Sequence, residues 1–598
     1  MNRPVAGEAS PALAFATAAR EAAPVRWLRA AAILARSPRE AVAILRARLA
    51  GKRVRAQQAR AALFGLDHGS LQASPAVQAR LLAGIATEFA RTDVEDVAIL
   101  LPGDLASSGL AAASSGLAAA SSGLAAASSG LAAASSGLAA ACLGRAAASA
   151  PILVLTAPGH ALVPGATDRL TELFAQAPTI QLVYGDALLG PVTGAATPLL
   201  RPAFDPEYLT AVDYIGPVLA IRRSALAAIV GPDDAASGAF ELVLRTARHF
   251  GRQAIAHLPG ILSRSDPAES PPAGDPDQAA ILRRSLDRSG GHAIAITIEP
   301  DGIRRLSHPL PEPHPLVSLI VPTRDRVDLL RTCLTSLIDR TDWPRLEILI
   351  CDNDSREPET LAYFRDLTAR GVARIIPCPG PFDFAGMNNA AACAARGRVL
   401  AFINNDVEAL HPDWLERLVR EALRPDVGAV GAKLLDGQGR IQHGGVLLGP
   451  GGLVTHAHRF FAGNAPGYLA GLRATREVSA VTAACLVVEA AKFSTVGGFD
   501  SEAFAVDFND VDLCLRLNEA GYRTLFVPGA VLRHDEAASR RWTLAARARH
   551  GREVVAFQKR WGPLLAQDPH YHPGFDPDLG TYARLRPGWP GAGPIRAR

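Results

Sequence analysis

Four apolar runs alternating with helix-length amphipathic stretches constrain this 598-residue chain more than any other feature. They begin behind Leu310-Pro311-Glu312-Pro313-His314-Pro315, where the prolines exclude helix and introduce a strand. Leu316-Val317-Ser318-Leu319-Ile320-Val321 is the kind of run that is buried on both faces of a parallel sheet. A helix is expected near 328–340, then strand Leu346–Cys351, a helix near 357–369, strand Ala373–Ile376, a helix near 385–396 and strand Val399–Ile403. Such alternation implies right-handed βαβ crossovers and a doubly wound α/β sheet. Ligands of these sheets bind beyond the carboxyl ends of the strands, so the polar residues there carry the functional information.

Three of those ends are polar in a suggestive way: Pro322-Thr323-Arg324-Asp325-Arg326, Cys351-Asp352-Asn353-Asp354-Ser355 and Asn404-Asn405-Asp406-Val407-Glu408. Any one alone is ordinary, because Asp and Asn at strand ends cap the next turn or helix. All three on one edge form a pattern that resembles the family 2 glycosyltransferases of the GT-A fold. The resemblance implies a Rossmann-like mixed sheet with helices on both faces and a nucleotide-diphospho-sugar donor. It implies donor binding by Pro322, Thr323, Arg324, Asp352, Asn404 and Asp406, with Asn404-Asn405-Asp406 where the family keeps its Asp-x-Asp metal motif. A divalent cation, Mg²⁺ or Mn²⁺, would neutralise the diphosphate as it departs. Asn404 replaces the first Asp of that motif and offers only a neutral oxygen.

Val496-Gly497-Gly498-Phe499-Asp500 and Asn509-Asp510-Val511-Asp512 resemble the family's Gly-Gly-Phe-Asp and Glu-Asp-x-Asp signatures. A sugar hydroxyl is a poor nucleophile, and a carboxylate within hydrogen-bond reach can take its proton. By match Asp510 is that catalytic base, Asn509 stands where the family has Glu, and Asn509 and Gly498 face the acceptor. Asp512 and Arg516, at i and i+4, read as a helix-surface ion pair. His534, after the strand-like Val527–Leu532, matches the histidine that completes the family's metal site beside Asp406. His456 and His458 make an H-x-H pair without further zinc-type ligands, expected on a loop near the acceptor. The stretch from Ile441-Gln442-His443-Gly444-Gly445 through Gly467-Tyr468 resembles the branch of the family associated with O-antigen and other surface polysaccharides.

The same order recurs upstream with the chemistry removed. Ile152–Pro158 aligns with Leu400–Asp406, setting Thr156-Ala157-Pro158 on the metal motif. Gly238–Arg245 aligns with Asn509–Arg516, so Ala239 stands for Asp510, and Leu258–Ser265 aligns with Val527–His534, so Ser265 stands for His534. A truncated, non-catalytic GT-A-like domain is therefore expected, its first βαβ unit missing. The expected organisation is a basic helical region at 1–85, the degenerate domain at 86–266, a linker at 267–315, the glycosyltransferase domain at 316–545 and an extension at 546–598. Residues 107–141 are five copies of Ser-Ser-Gly-Leu-Ala-Ala-Ala, an insert in the degenerate domain. One large apolar residue per heptad cannot make a coiled-coil seam.

Composition excludes other classes. With 48% hydrophobic and 20% charged residues the chain is globular. Seven scattered cysteines form no CxxC pair and read as reduced, buried thiols of a cytoplasmic protein. Net charge is +4, but residues 1–60 hold 12 Lys/Arg against three Glu, which suits a solvated helical face or a peripheral contact with an anionic inner membrane leaflet. No aromatic interleaving supports nucleic-acid binding. A nucleotide-sugar dehydrogenase lacks its G-x-G-x-x-G turn. Gln558-Lys559-Arg560-Trp561 echoes the Gln-x-x-Arg-Trp signature of processive polysaccharide synthases but is one residue short. The expected activity is inverting hexosyl or deoxyhexosyl transfer to a glycan or lipid-linked hydroxyl in surface polysaccharide synthesis. The alternative is a non-catalytic glycan-binding or scaffold protein of a polysaccharide assembly complex.

Overall fold

The computed structural model describes residues 97–100, 150–156, 160–190, 196–216, 218–230, 238–265, 276–535 and 543–577, with Val42, Gly580, Tyr582, Leu585 and Arg586. The expected basic helical region, but for Val42, and the heptapeptide insert lie outside the described residues.

The N-terminal sheet is built from β1 (Val97–Leu100), β2 (Ile152–Leu155), β3 (His160–Leu162), β4 (Leu182–Leu189), β5 (Thr197–Leu199), β6 (Leu219–Arg222) and β7 (Ile255–Ser265). Its helices are α1 (Ala166–Gln176), α2 (Pro206–Ala211), α3 (Arg223–Ile229) and α4 (Ala239–Phe250), followed by α5 (Pro276–Arg288) and a hairpin of β8 (Ala295–Ile298) and β9 (Arg304–Ser307). The span 267–315, expected as a linker, thus holds a helix and a hairpin. Ile281 and Leu282 of α5 bury against Phe240 and Val243 of α4, so apolar spacing within a polar stretch fixed the helix.

The C-terminal sheet follows with β10 (Val317–Thr323), α6 (Val327–Asp339), β11 (Leu346–Asp352), α7 (Pro358–Ala369), β12 (Arg374–Pro377), α8 (Phe384–Ala394), β13 (Val399–Ile403), β14 (Val407–Ala409), α9 (Trp414–Ala422) and β15 (Val427–Leu435). Then come β16 (Ile441–His443), β17 (Val446–Leu448), β18 (Val454–His456), β19 (Arg476–Glu477), β20 (Cys485–Glu489), α10 (Ala490–Thr495), α11 (Asn509–Glu519), β21 (Arg523–His534) and α12 (Leu544–Leu565). Strand order is β12-β11-β10-β13-β20-β15-β21-β14. The first four are mutually parallel, as the βαβ alternation requires. Successive side chains of β10 point to opposite faces: Val317, Leu319 and Val321 enter the core with α6, α7 and α9, and Ile320 enters the one with α8, α11 and α12. The result is a mixed α/β sheet covered by helices on both sides.

The two sheets share a connectivity. The N-terminal order is β1-β2-β6-β4-β7-β3, and each pairing has a counterpart in β10-β13-β20-β15-β21-β14. β1 lies parallel to β2 as β10 does to β13, and β4 parallel to β7 as β15 does to β21. The pairs β2–β6, β6–β4 and β7–β3 are antiparallel, as are β13–β20, β20–β15 and β21–β14. Helix α5 follows β7 as α12 follows β21. The expectation of a missing first unit is corrected in part: β1 occupies the place of β10, while β11 and β12 have no counterpart among the described residues.

Polar and apolar contacts join the units. Glu207 of α2 binds Arg424 bidentately at 2.5 and 2.9 Å and Arg523 at 2.8 Å. Arg523 reaches Glu477 at 2.9 Å, and Glu477 in turn takes both guanidinium arms of Arg252 at 2.7 Å. The Tyr468 hydroxyl accepts the Leu200 N–H at 2.9 Å, and the Tyr208 hydroxyl donates to the Leu469 carbonyl at 2.7 Å. The segment expected as an extension from 546 is built into both cores. Phe557 and Trp561 of α12 pack under the C-terminal sheet, and Tyr571, Phe575 and Tyr582 pack with the N-terminal one. Among the described residues no helix is long and apolar enough to cross a membrane.

Candidate active site

Parallel pairing brings the three polar strand ends together. Thr323 lies in register with Asp352, and Asn405 donates to the Thr323 hydroxyl at 2.8 Å. Pro322 and Thr323 are buried at the end of β10, and Arg324 is exposed beside them. Asp325 and Arg326 take left-handed backbone (φ 52° each), and the Asp325 carboxylate accepts the N–H groups of Arg356 and Glu357 at 2.6 and 2.9 Å. This knot ties the turn after β10 to the turn after β11. Asp352 closes its own turn by accepting the Ser355 N–H at 3.0 Å. Asp352 is therefore held in one orientation before any ligand arrives.

The next strand end forms a compact polar centre. His534 Nε2 lies 3.3 Å from Asp406 Oδ1, and each side chain is 7% exposed. The Asn404 amide approaches the same imidazole nitrogen at 3.4 Å. Antiparallel pairing of β14 with β21 causes the meeting, because Val407 pairs with His534. Asp406 Oδ1 and His534 Nδ1 are buried with no hydrogen-bond partner, an arrangement that costs free energy unless something binds there. A carboxylate, an imidazole and an amide oxygen are the donor types a divalent cation accepts, so these residues fit one.

Asp510 sits in the first turn of α11. One carboxylate oxygen accepts the Ala483 N–H at 3.0 Å and the other its neighbour's, from Val511, at 2.8 Å. Burial pushes its pKa above the ordinary carboxylate value, against the pull of those N–H groups. Asn509 beside it is buried, with its side-chain amide nitrogen unpartnered. Gly498 lies in the loop before α11. It is buried at φ +70°, a Cβ there would stand 2.7 Å from Asn389 Oδ1, and its carbonyl accepts Arg516 at 2.7 Å. These contacts shape the loop.

Two expectations change. Asp512 is not part of a surface ion pair: it is wholly buried and accepts Arg516 at 2.7 Å, Arg560 at 2.8 Å and Trp561 at 3.0 Å. The H-x-H pair is divided. His456 shares a 2.7 Å Nδ1–Nδ1 hydrogen bond with His443, and burial lowers its pKa to about 3, so this pair is neutral. His458 stacks on Tyr582 at 4.7 Å.

Among the described residues one group of three carboxylate and imidazole side chains gathers closely enough to hold a metal, and it lies elsewhere: Asp186 with His257 and His572. Its bonding is that of a clamp. His572 Nδ1 accepts the Gly574 N–H at 2.9 Å, so its proton sits on Nε2 and is donated to Asp186 at 2.8 Å. The Asp186 oxygens also take His257, Arg201 N–H and Gly260 N–H at 2.7–2.9 Å, which leaves them saturated. No spacing in the sequence signals this cluster, because its members come from β4, β7 and the C-terminal segment.

The glycosyl transferase family 2 model matches residues 318–450. Over 406 residues the chain is 36% identical to the uncharacterized protein y4gI of Sinorhizobium fredii, covering 65% of this chain and 44% of that protein. Over 424 residues it is 34% identical to the O-antigen biosynthesis protein RfbC of Myxococcus xanthus, covering 69% of this chain and 33% of that one. The chain therefore spans less than half the length of either relative. Among solved structures it is similar to mannosyltransferase PcManGT from Pyrobaculum calidifontis in complex with GDP-Man and Mn²⁺. There the identity is 20%, the match covers 44% of this chain and 70% of that one, and the TM-score is 0.32.

Proposed function

We propose that this chain, whose residues 318–450 match the glycosyl transferase family 2 model, transfers a sugar, with inversion, from a nucleotide-diphospho-sugar to a glycan or lipid-linked hydroxyl. The similarity to an O-antigen biosynthesis protein supports a surface polysaccharide as the product.

The observation that carries the reading is the meeting of Asp406 and His534 at 3.3 Å, each buried with an unpartnered polar atom, at the sheet edge where Thr323 and Asp352 also lie. Asp406, His534 and the Asn404 amide would hold a divalent cation, whose charge would offset that of the leaving diphosphate. Pro322, Thr323, Arg324 and Asp352 would receive the nucleoside. Asp510 is the base: it takes the acceptor proton while the hydroxyl oxygen bonds to the anomeric carbon and the bond to the diphosphate breaks. Fixed by two N–H groups, its carboxylate needs no reorientation as charge moves.

In the N-terminal sheet Ala239 stands in the first turn of α4 as Asp510 does in that of α11, and β7 ends on Ser265 where β21 ends on His534. That unit lacks the means to stabilise a transition state, and its proposed role is to support its neighbour. The test is a panel of nucleotide sugars screened for thermal shift and then for turnover with each hit. One donor should stabilise the protein by mass action and be consumed, and Asp510→Asn should bind it and not turn it over. Full turnover by Asp510→Asn would refute the mechanism.

A further inference from the structure

We propose that helix α12 belongs to the catalytic apparatus, with Glu553, Arg560 and Trp561 as positioning residues that set where Asp510 points. This rests on the reading of Asp510 as the base.

The loop from Gly497 to Phe508 carries the Gly-Gly-Phe-Asp motif and delivers the chain into α11. A loop that must hold a base needs its own N–H groups taken. The Glu553 carboxylate, 3% exposed, accepts those of Val506 at 3.2 Å and Asp507 at 2.8 Å. His550, one turn earlier on α12, meets the Asp507 carboxylate at 3.0 Å. Phe508, the last residue before α11, stands at φ +64°, a conformation that a residue with a Cβ adopts only when its surroundings hold it. Here Phe557 of α12 holds it, its ring stacked on that of Phe508 at 4.7 Å and 21°.

The second hold is on α11 itself. Residues two apart on a helix lie about 200° around its axis, so Asp510 and Asp512 face nearly opposite directions. Asp510 is bonded toward Ala483, and Asp512 is bonded toward α12 through Arg560 and Trp561. The other arm of Arg560 reaches Asp500 of the loop at 2.8 Å. Rotation of α11 about its axis would move the Asp510 carboxylate, and the Asp512 bonds prevent it.

The N-terminal unit carries a related pair. There Glu241 and Arg245 repeat the buried i, i+4 pair at 2.6 Å, and α5 follows β7 as α12 follows β21. Arg284 and Arg288 of α5 form ion pairs with Glu241 at 3.7 and 4.0 Å. The pair shared by both units belongs to the fold. In the C-terminal unit the bonds of Arg560 and Trp561 to Asp512 add a hold on α11 at 2.8 and 3.0 Å.

The experiment compares Trp561→Phe, which removes the N–H donor and keeps a ring, with wild type in the full chain. Misplacing a base lowers turnover without touching donor recognition. The expected result is a kcat lower by about tenfold, with donor KM and donor-induced thermal shift unchanged. The acid limb of the pH–rate profile should also move, because the Asp510 environment changes. An unchanged kcat and an unmoved limb, whatever happens to Tm, would overturn the proposal. Glu553→Gln, which leaves one acceptor oxygen for the two loop N–H groups, carries the same expectation and decides the matter should Trp561→Phe fail to fold. Asp510→Asn is run alongside. If it retains activity, the assignment of the base is wrong. If it is inactive while both α12 variants behave as wild type, only the role of α12 falls.

Discussion

Glu207 and Arg424 form a two-pronged ion pair, at 2.5 and 2.9 Å, between the unit that lacks the site residues and the unit that has them. Both side chains are nearly buried, at 11% and 14% exposure, and Arg523 shares the same carboxylate. Removing one partner of such a cluster leaves the others desolvated and uncompensated. Glu207→Ala should therefore cost about 3–5 kcal/mol in chemical denaturation, far more than an exposed pair would. A loss below about 1 kcal/mol would show that the junction is screened as a surface bridge is.

The unpartnered atoms of Asp406 and His534 predict a cation requirement. Chelation should stop turnover, and Mg²⁺ or Mn²⁺ should restore it. Asp406→Ala or His534→Ala should lower kcat by about 10²–10³-fold, the usual loss when a group that stabilises developing charge is removed. Turnover measured across a cation titration checks both. Activity that survives chelation would remove the cation from the reading.

Burial raises the Asp510 pKa, and a base works only when ionised. The logarithm of kcat/KM should thus fall on the acid side with a limb displaced above 3.8, the ordinary aspartate value, and the plateau should lie at higher pH. A limb at or below 3.8 would mean that another group governs it.

Asp205 gives a stability signature distinct from catalysis. Burial first, and then the neighbouring charge of Glu477, push its carboxyl up to about 7. Below 3.8 the group is neutral folded or unfolded; between there and about 7 only the unfolded chain releases the proton. Its contribution to stability is complete below that window and is lost as pH rises through it. Asp205→Asn should flatten this dependence in thermal melts recorded across the window. An equally steep fall in the variant would assign the dependence to another group.

What could be read from the sequence was what is local. The parallel strands β10, β11, β12 and β13 announce themselves as apolar runs, and their ends carry the turn chemistry that brings Thr323, Asp352 and Asp406 to one edge. The second copy was legible because Gly238–Arg245 and Leu258–Ser265 follow in the order of Asn509–Arg516 and Val527–His534, with Ala239 and Ser265 at the places of Asp510 and His534. The rest depends on distant pairings. Val97–Leu100 is too short a run to declare itself a strand, and it becomes one by pairing with β2. The polar span before Pro311 hid α5 and the hairpin because few apolar residues suffice when a neighbouring helix covers them. Arg560-Trp561 was visible as a motif, but its partner Asp512 lies 48 and 49 residues away, and no spacing rule links them. The Asp186 clamp spans 386 residues to His572 and left no trace in the sequence pattern.

Strand β21 begins with Arg523, bound into the junction through Glu207 and Glu477, and ends with His534 in the active centre. Twelve residues of one strand connect the two, about 36 Å of continuous backbone. The N-terminal unit thus acts as an abutment for the far end of the beam that carries His534. Inheritance is then constrained unevenly across that unit. On the proposed reading, substitutions around Thr156 and Ala239 can drift, whereas a change at Glu207 reaches the strand of His534 without touching its far end.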